Sequence, residues 1–181
     1  KKFDGPRVNY MMIHNDGIIA ASRNMGINAA RGNWLAFLDS DDWWSTDKLE
    51  ICSKYIDESL DLIHHDLDVV YEKPNFFNRR LTRCRQLKSP VLEDLLIKGN
   101  AIVNSTVIVR KKIINKIGGI SEDKNMVASE DYNTWLRIAT LTDRFKYVPK
   151  SLGWYYVHSN GISQRDMSKS DNAAISEFKD H

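Results

Sequence analysis

Short apolar runs alternate with segments of helical spacing along this chain, and that alternation most restricts what it can fold into. Trp34 to Leu38 is a continuous apolar run of strand length, which suits a buried strand better than an edge strand. LDLIHHDLDVVY (60–71) and STVIVR (105–110) are rich in apolar and β-branched residues and read as strands. So do the late stretches FKYVP and GWYYVH and the early RVNYMMI (7–13). Asp16 can cap a helix from Ile18 to Ala30 that Gly32 ends. A second helix begins at Ser45 or Thr46 and carries Leu49, Cys52, Tyr55, Ile56 and Leu60 at helical spacing. Others run from Ser89-Pro90 to Gly99, from Lys111 to Ile117 before Gly118-Gly119, and from a cap at Ser129 through Leu141. Helices and strands that alternate in this way predict an α/β layer fold.

The first apolar run leads straight into Asp39-Ser40-Asp41-Asp42, within FLDSDDWW. Ionised carboxylates this close repel one another, and Asn, Gly or Ser would make a turn at less cost. In open α/β sheets, ligands bind beyond the carboxyl ends of the strands. Asp39 and Asp41 are two apart, so in extended backbone they point the same way and one hard cation can bridge them. Mg²⁺ or Mn²⁺ held by two carboxylates keeps waters and takes further oxygens from substrate phosphates. The stretch alone fits such a metal–diphosphate site and equally fits a solvated acidic turn that starts the next helix.

Length and charge narrow the class. The 181 residues suffice for one domain with its own core. A net charge of +2 gives no global bias toward nucleic acid or membrane. Two cysteines do not make a disulfide framework, and no stretch has the length of a membrane span, so a cytoplasmic chain is expected. One basic run stands out, NRRLTRCRQLK (78–88), with Arg79, Arg80, Arg83, Arg85 and Lys88. It reads as a solvated loop or as a peripheral contact with an anionic headgroup or membrane face. Nucleic acid is not expected, because the interleaved aromatics of single-strand binders are missing. His64 and His65 resemble a metal pair, but neighbours on a strand point to opposite faces and cannot share a cation.

Residues 21–50, ASRNMGINAARGNWLAFLDSDDWWSTDKLE, resemble the family 2 glycosyltransferases of the GT-A fold. Ser22-Arg23-Asn24-Met25-Gly26-Ile27 stands for the family's A-R-N-x-G-I helix, and Asp39-Ser40-Asp41-Asp42 for its D-x-D element before a K-L-E helix. A second hallmark is a Glu-Asp pair opening a late helix ahead of W-L-R, here Glu130 and Asp131 in SEDYNTWLR. The resemblance covers about residues 7 to 160, so a catalytic domain over 1–160 and a C-terminal tail over 161–181 are expected. It implies an α/β, GT-A-like layered sheet with helices on both faces. Nothing like the family's first strand, P-x-Y-N-like turn, helix and acid-ended second strand precedes this part. The expected domain is therefore N-terminally incomplete, entering the fold after its first βαβ unit.

The resemblance also implies chemistry. A sugar would pass, with inversion, from a nucleotide-diphosphate donor to a hydroxyl of a glycan or lipid-linked acceptor, in surface polysaccharide synthesis. Asp39, Asp41 and His158 are then the candidates to hold Mn²⁺ or Mg²⁺, which would stabilise charge on the leaving diphosphate. Arg23, Asn24, Asp39 and Asp42 would lie beside the nucleotide, with Asn24 able instead to tie a loop down and Asp42 to cap a helix. Asp131 is implied as the general base, and Glu130 as the group that orients the acceptor or the base. Each has a plainer reading: a first-turn Asp favoured by the helix dipole, an exposed helical Arg, a structurally satisfied His. Trp43 and Trp44 read as packing. Two other functions stay open, a truncated transferase domain that only docks glycan or a partner, and a nucleotide-sugar pyrophosphorylase-like enzyme. The second would want a Gly-rich, basic N-terminal loop.

Overall fold

A computed structural model describes residues 8–74, 80–82, 84–158 and 166–179. Its central strand, β3 (Leu62–Tyr71), pairs in parallel with β5 (Phe145–Val157). On the other side of β3 lies β4 (Ile108–Arg110), antiparallel, and beyond it β1 (Trp34–Ala36). The two-residue β2 (Trp43–Trp44) closes the far side of β5, giving the order β1-β4-β3-β5-β2.

Successive side chains on these strands enter two different cores, as the pleat requires. Leu62 and Val109 join the larger cluster, while their neighbours Ile63 and Ile108 join the smaller one. The larger core is built with α1 (Ile19–Ala29), α3 (Val91–Lys98), α4 (Lys111–Lys116), α5 (Glu130–Ala139) and α6 (Ser168–Ile175). They contribute Ile27, Leu95, Ile114, Trp135 and Ala174 respectively. The smaller core holds Cys52 of α2 (Lys48–Ser53) with Val148 and Leu152 of β5. Helices thus cover both faces of the sheet, the layered α/β arrangement that the alternation predicts.

Several local expectations are corrected. Residues 8–13 form no strand and lie outside the sheet, with Tyr10 and Met12 more than four-fifths exposed. Asp16 does not cap α1: it has a φ of 50° in a turn with Gly17, and the Asn15 side chain accepts the Gly17 N–H instead. Among the described strands β1 stands at the sheet edge, not in its interior, and Leu38 beyond it is exposed. Helix α2 stops at Ser53, and both Leu49 on it and Ile56 beyond it are exposed. Ser105 and Thr106, expected to begin a strand, belong instead to a 3₁₀ turn over Asn104–Thr106. FKYVP and GWYYVH are one strand, whose register against β3 shifts around Asp66. Ser129 precedes α5 without a side-chain cap, because its hydroxyl bonds Asp171 Oδ1 (2.6 Å) on α6. The stretch expected as a tail therefore packs into the core: Ala174 and Phe178 are buried there, and Asn133 Nδ2 donates to the Ala174 carbonyl (2.9 Å) and Glu177 Oε1 (2.6 Å). Residues 159–165, in the late YYVHSNGIS segment and the start of that tail, fall outside the described residues.

Candidate active site

The chain leaving β1 and the first turn of α5 face one another across a cleft of about 710 Å³. Arg23, Asp39, Asp41, Glu130, Asp131 and His158 all line it. Six of the eight residues singled out from sequence thus meet in one place. The other two, Asn24 and Asp42, lie outside its lining.

Arg23 is the joint. It projects from α1 and donates through one guanidinium nitrogen to Asp39 Oδ1 (2.6 Å) and through the other to Glu130 Oε1 (2.5 Å). The forked guanidinium makes one side chain sufficient for both bonds. Burial works against the Arg23 charge, but Asp39 first, then Asp131 and Glu130, outweigh it and hold its pKa above the usual value. Arg23 is therefore not the free surface cation its helical position alone would suggest.

Asp41 is nearly half exposed, and His158 Nε2 stands 3.6 Å from its Oδ2. Asp39 is bound on Oδ1 by Arg23 and by Asn104 Nδ2 (2.8 Å). Among the described residues no three His, Cys, Asp or Glu side chains converge tightly enough to hold a cation by themselves. The donor set fits a hard divalent ion that completes its shell with water and substrate oxygens, the habit of Mg²⁺. Asp41 and His158 line the same cleft as Asp39.

Asp131 Oδ1 accepts the N–H of Tyr132 (2.6 Å). Burial and the adjacent Glu130 charge push its carboxyl up to about 7, against the pull of Arg23. Glu130 is 4% exposed and its Oε2 has no hydrogen-bond partner among the described residues. One carboxylate neutralised by Arg23 beside another whose pKa sits near neutrality is an arrangement suited to moving a proton.

Asn24 does tie a loop down. Its Nδ2 donates to the Ile120 carbonyl and to Glu122 Oε1 (both 2.8 Å), and its Oδ1 accepts the Ile120 N–H (2.9 Å). Gly119 next to it has a φ of 86°, and a Cβ there would come within 2.9 Å of Asn24 Oδ1. Asp42 is 8% exposed and accepts the Tyr156 N–H (3.1 Å), joining the acidic loop to β5. Burial raises its pKa to about 6.

Sequence reasoning missed Asn104, just before an expected strand, and Ser105, which was absorbed into it. The signal was a run of three polar residues, Asn-Ser-Thr, between apolar ones, where buried polar side chains need local partners. In the basic run, Arg85 pairs with the buried Asp94, as does Lys98 at the end of α3, so Arg85 is not available to a surface. Arg80 and Lys88 are exposed; Arg79 and Arg83 lie outside the described residues. Among the described residues no helix is long and apolar enough to cross a membrane.

The pattern of the family described as glycosyltransferase like family 2 matches residues 17–168. The chain is 25% identical over 147 residues to the Escherichia coli UDP-Glc:alpha-D-GlcNAc-diphosphoundecaprenol beta-1,3-glucosyltransferase WfaP, covering 80% of this chain and 53% of that protein. Its fold is similar to Staphylococcus aureus TarS 1–349 in complex with UDP-GlcNAc, with a TM-score of 0.61 and 16% identity over 80% of this chain and 40% of that one. It is also similar to the Pyrobaculum calidifontis mannosyltransferase PcManGT in complex with GDP-Man and Mn²⁺, with a TM-score of 0.51 and 17% identity over 78% and 37%. The chain spans about half the length, or less, of the curated relatives it matches. With the family pattern running through every element that lines the cleft, the chain belongs to glycosyltransferase-like family 2.

Proposed function

We propose that this chain carries the diphosphate-binding and acceptor-activating part of an inverting, metal-dependent glycosyltransferase. The observation that carries the reading is Arg23, which ties Asp39 to Glu130 and so holds the acidic loop and the Asp131 helix on opposite walls of one cleft. Asp41 and His158, with Asp39, would hold Mn²⁺ or Mg²⁺, which supplies Lewis-acid stabilisation of the leaving diphosphate. Asp131 takes the proton of the acceptor hydroxyl as that oxygen bonds the anomeric carbon. The bond from that carbon to the donor diphosphate breaks on the opposite face, and the electron pair leaves with the diphosphate. Glu130, neutralised by Arg23, orients the acceptor or Asp131. The acceptor is a hydroxyl of a glycan or lipid-linked saccharide, a reading supported by the substrate in the name of the E. coli relative. Both cysteines are unpaired, which suits a reducing, cytoplasmic compartment. Exposed Arg80 and Lys88 suit a peripheral contact with an anionic membrane face.

Calorimetry with Mn²⁺ plus UDP or GDP tests the donor half of this reading. The parent chain should bind one of the two nucleotides more tightly with Mn²⁺ than without. Asp41→Asn should lose that gain and keep its fold. Metal-independent binding, or equal gains in both proteins, would refute the metal role.

A further inference from the structure

Lys48 is fully buried, yet no carboxylate pairs with it among the described residues. Its ammonium donates to the Ser105 carbonyl (2.9 Å) and lies 3.7 Å from the centre of the Trp44 ring. Trp44 Nε1 donates to the same carbonyl (2.8 Å). Burying an ammonium without a counter-charge is costly, and an apolar side chain of similar shape would serve packing better. The position must therefore want a donor.

What the donor holds is the Asn104–Thr106 turn. That turn is buried throughout, with Asn104 at 3% exposure and Ser105 and Thr106 at 0%. It grips the acidic loop in two places. Ser105 Oγ accepts the Asp39 N–H (3.0 Å), and Asn104 Nδ2 donates to Asp39 Oδ1 (2.8 Å). Arg23 uses the same oxygen, so among the described residues both side-chain donors fall on Oδ1 and none on Oδ2. An acceptor already bonded on one oxygen presents the other in a defined direction, which a carboxylate on a free loop does not.

We propose that Asn104 is a positioning residue for Asp39, and that the buried Lys48 keeps Asn104 in place through the Ser105 carbonyl. The chain of contacts runs Lys48, Ser105, Asn104, Asp39, and joins α2 to the cleft. Burial lowers the Lys48 pKa to about 7, and an amine donates in either protonation state, so the contact does not require the charge. The proposal rests on the reading of Asp39 as a diphosphate–cation residue only for its catalytic meaning; the linkage itself is tested without ligand.

The test compares Lys48→Met, which keeps the shape and removes the donor, with Lys48→Gln, which keeps a donor and removes the charge. Hydrogen exchange of the Asp39 backbone amide and the Asn104 side-chain amide is followed by NMR, with core amides of β3 and β5 as reference. Lys48→Met should speed exchange at both groups about tenfold, the worth of one hydrogen bond, with the reference amides unchanged. Lys48→Gln should behave as the parent. Trp44→Phe removes the second donor to the Ser105 carbonyl and should loosen the same two groups, which keeps the test decisive if Lys48→Met does not fold. Unchanged exchange in both donor-deleting variants overturns the proposal. So does a loss of protection spread over β3 and β5, or failure of the glutamine to rescue. In a separate arm, Asn104→Ala should weaken Mn²⁺ uptake, measured by electron paramagnetic resonance with UDP present, about tenfold. If the parent takes up no Mn²⁺, the proposed metal role fails, while the exchange result still decides the positioning.

Discussion

Asp131→Asn separates the electrostatic account of the cleft from its simpler alternatives. In the fold, burial and the Glu130 charge move the Asp131 carboxyl from 3.8 to about 7. At 1.36 kcal/mol per pKa unit, that displacement is worth roughly 4 kcal/mol. The sign follows from proton binding. Between these two values the native chain holds a proton that the unfolded chain has lost, so native stability falls as pH rises through the window. Below the lower value neither state pays, and above the higher value the penalty is complete. Asparagine carries no charge and still offers an oxygen to the Tyr132 N–H that Asp131 accepts at 2.6 Å. The variant should therefore match the parent at pH about 4 and exceed it by up to about 4 kcal/mol at pH about 8, measured by urea unfolding. In the proposed sugar transfer the same change should cost about 10²–10⁴-fold while nucleotide affinity holds. A stability difference that stays constant across this pH range would refute the raised pKa, and with it the idea that Asp131 is poised to exchange a proton near neutrality.

Asp42→Asn should show a smaller version of the same curve. Its carboxyl rises from 3.8 to about 6, so the gain at neutral pH is at most about 3 kcal/mol and disappears on acidification, again by urea unfolding. Arg23→Lys replaces the two-nitrogen fork by a single nitrogen on a shorter side chain; if one of the two charged hydrogen bonds is lost as expected, the cost should be about 1.5–3 kcal/mol in denaturant unfolding. Gly153→Ala places a Cβ 2.5 Å from the Trp43 carbonyl and 3.0 Å from Leu67 Cδ2. It should destabilise the chain by about 1–3 kcal/mol, seen as a lower Tm, by pushing β2 away from β5.

The residue pattern by itself determined what is local. Strand–helix alternation forecast β3, α3, α4, α5 and both ends of β5, because a period of two or of 3.6 is a property of neighbouring residues. It also placed Asp39 and Asp41 beyond a strand and Glu130 and Asp131 at a helix start. Six of the eight candidate site residues then met in the cleft. Tertiary structure decided what depends on distant partners. Arg23 finds Asp39 at a separation of 16 residues and Glu130 at 107, and Asn104 finds Asp39 at 65. No periodicity encodes such pairs. The same holds for the place of β1 at the sheet edge, which rests on strand order, and for α6, whose Ala174 is buried by packing against the larger core. Lys48 shows the limit most plainly. Nothing in its local sequence singles it out, and only the arrival of Trp44 and the Ser105 carbonyl around it makes a buried donor. A side chain's own sequence sets which face it takes, but the groups opposite that face are brought there by folding, and they set its burial, its pKa and its role.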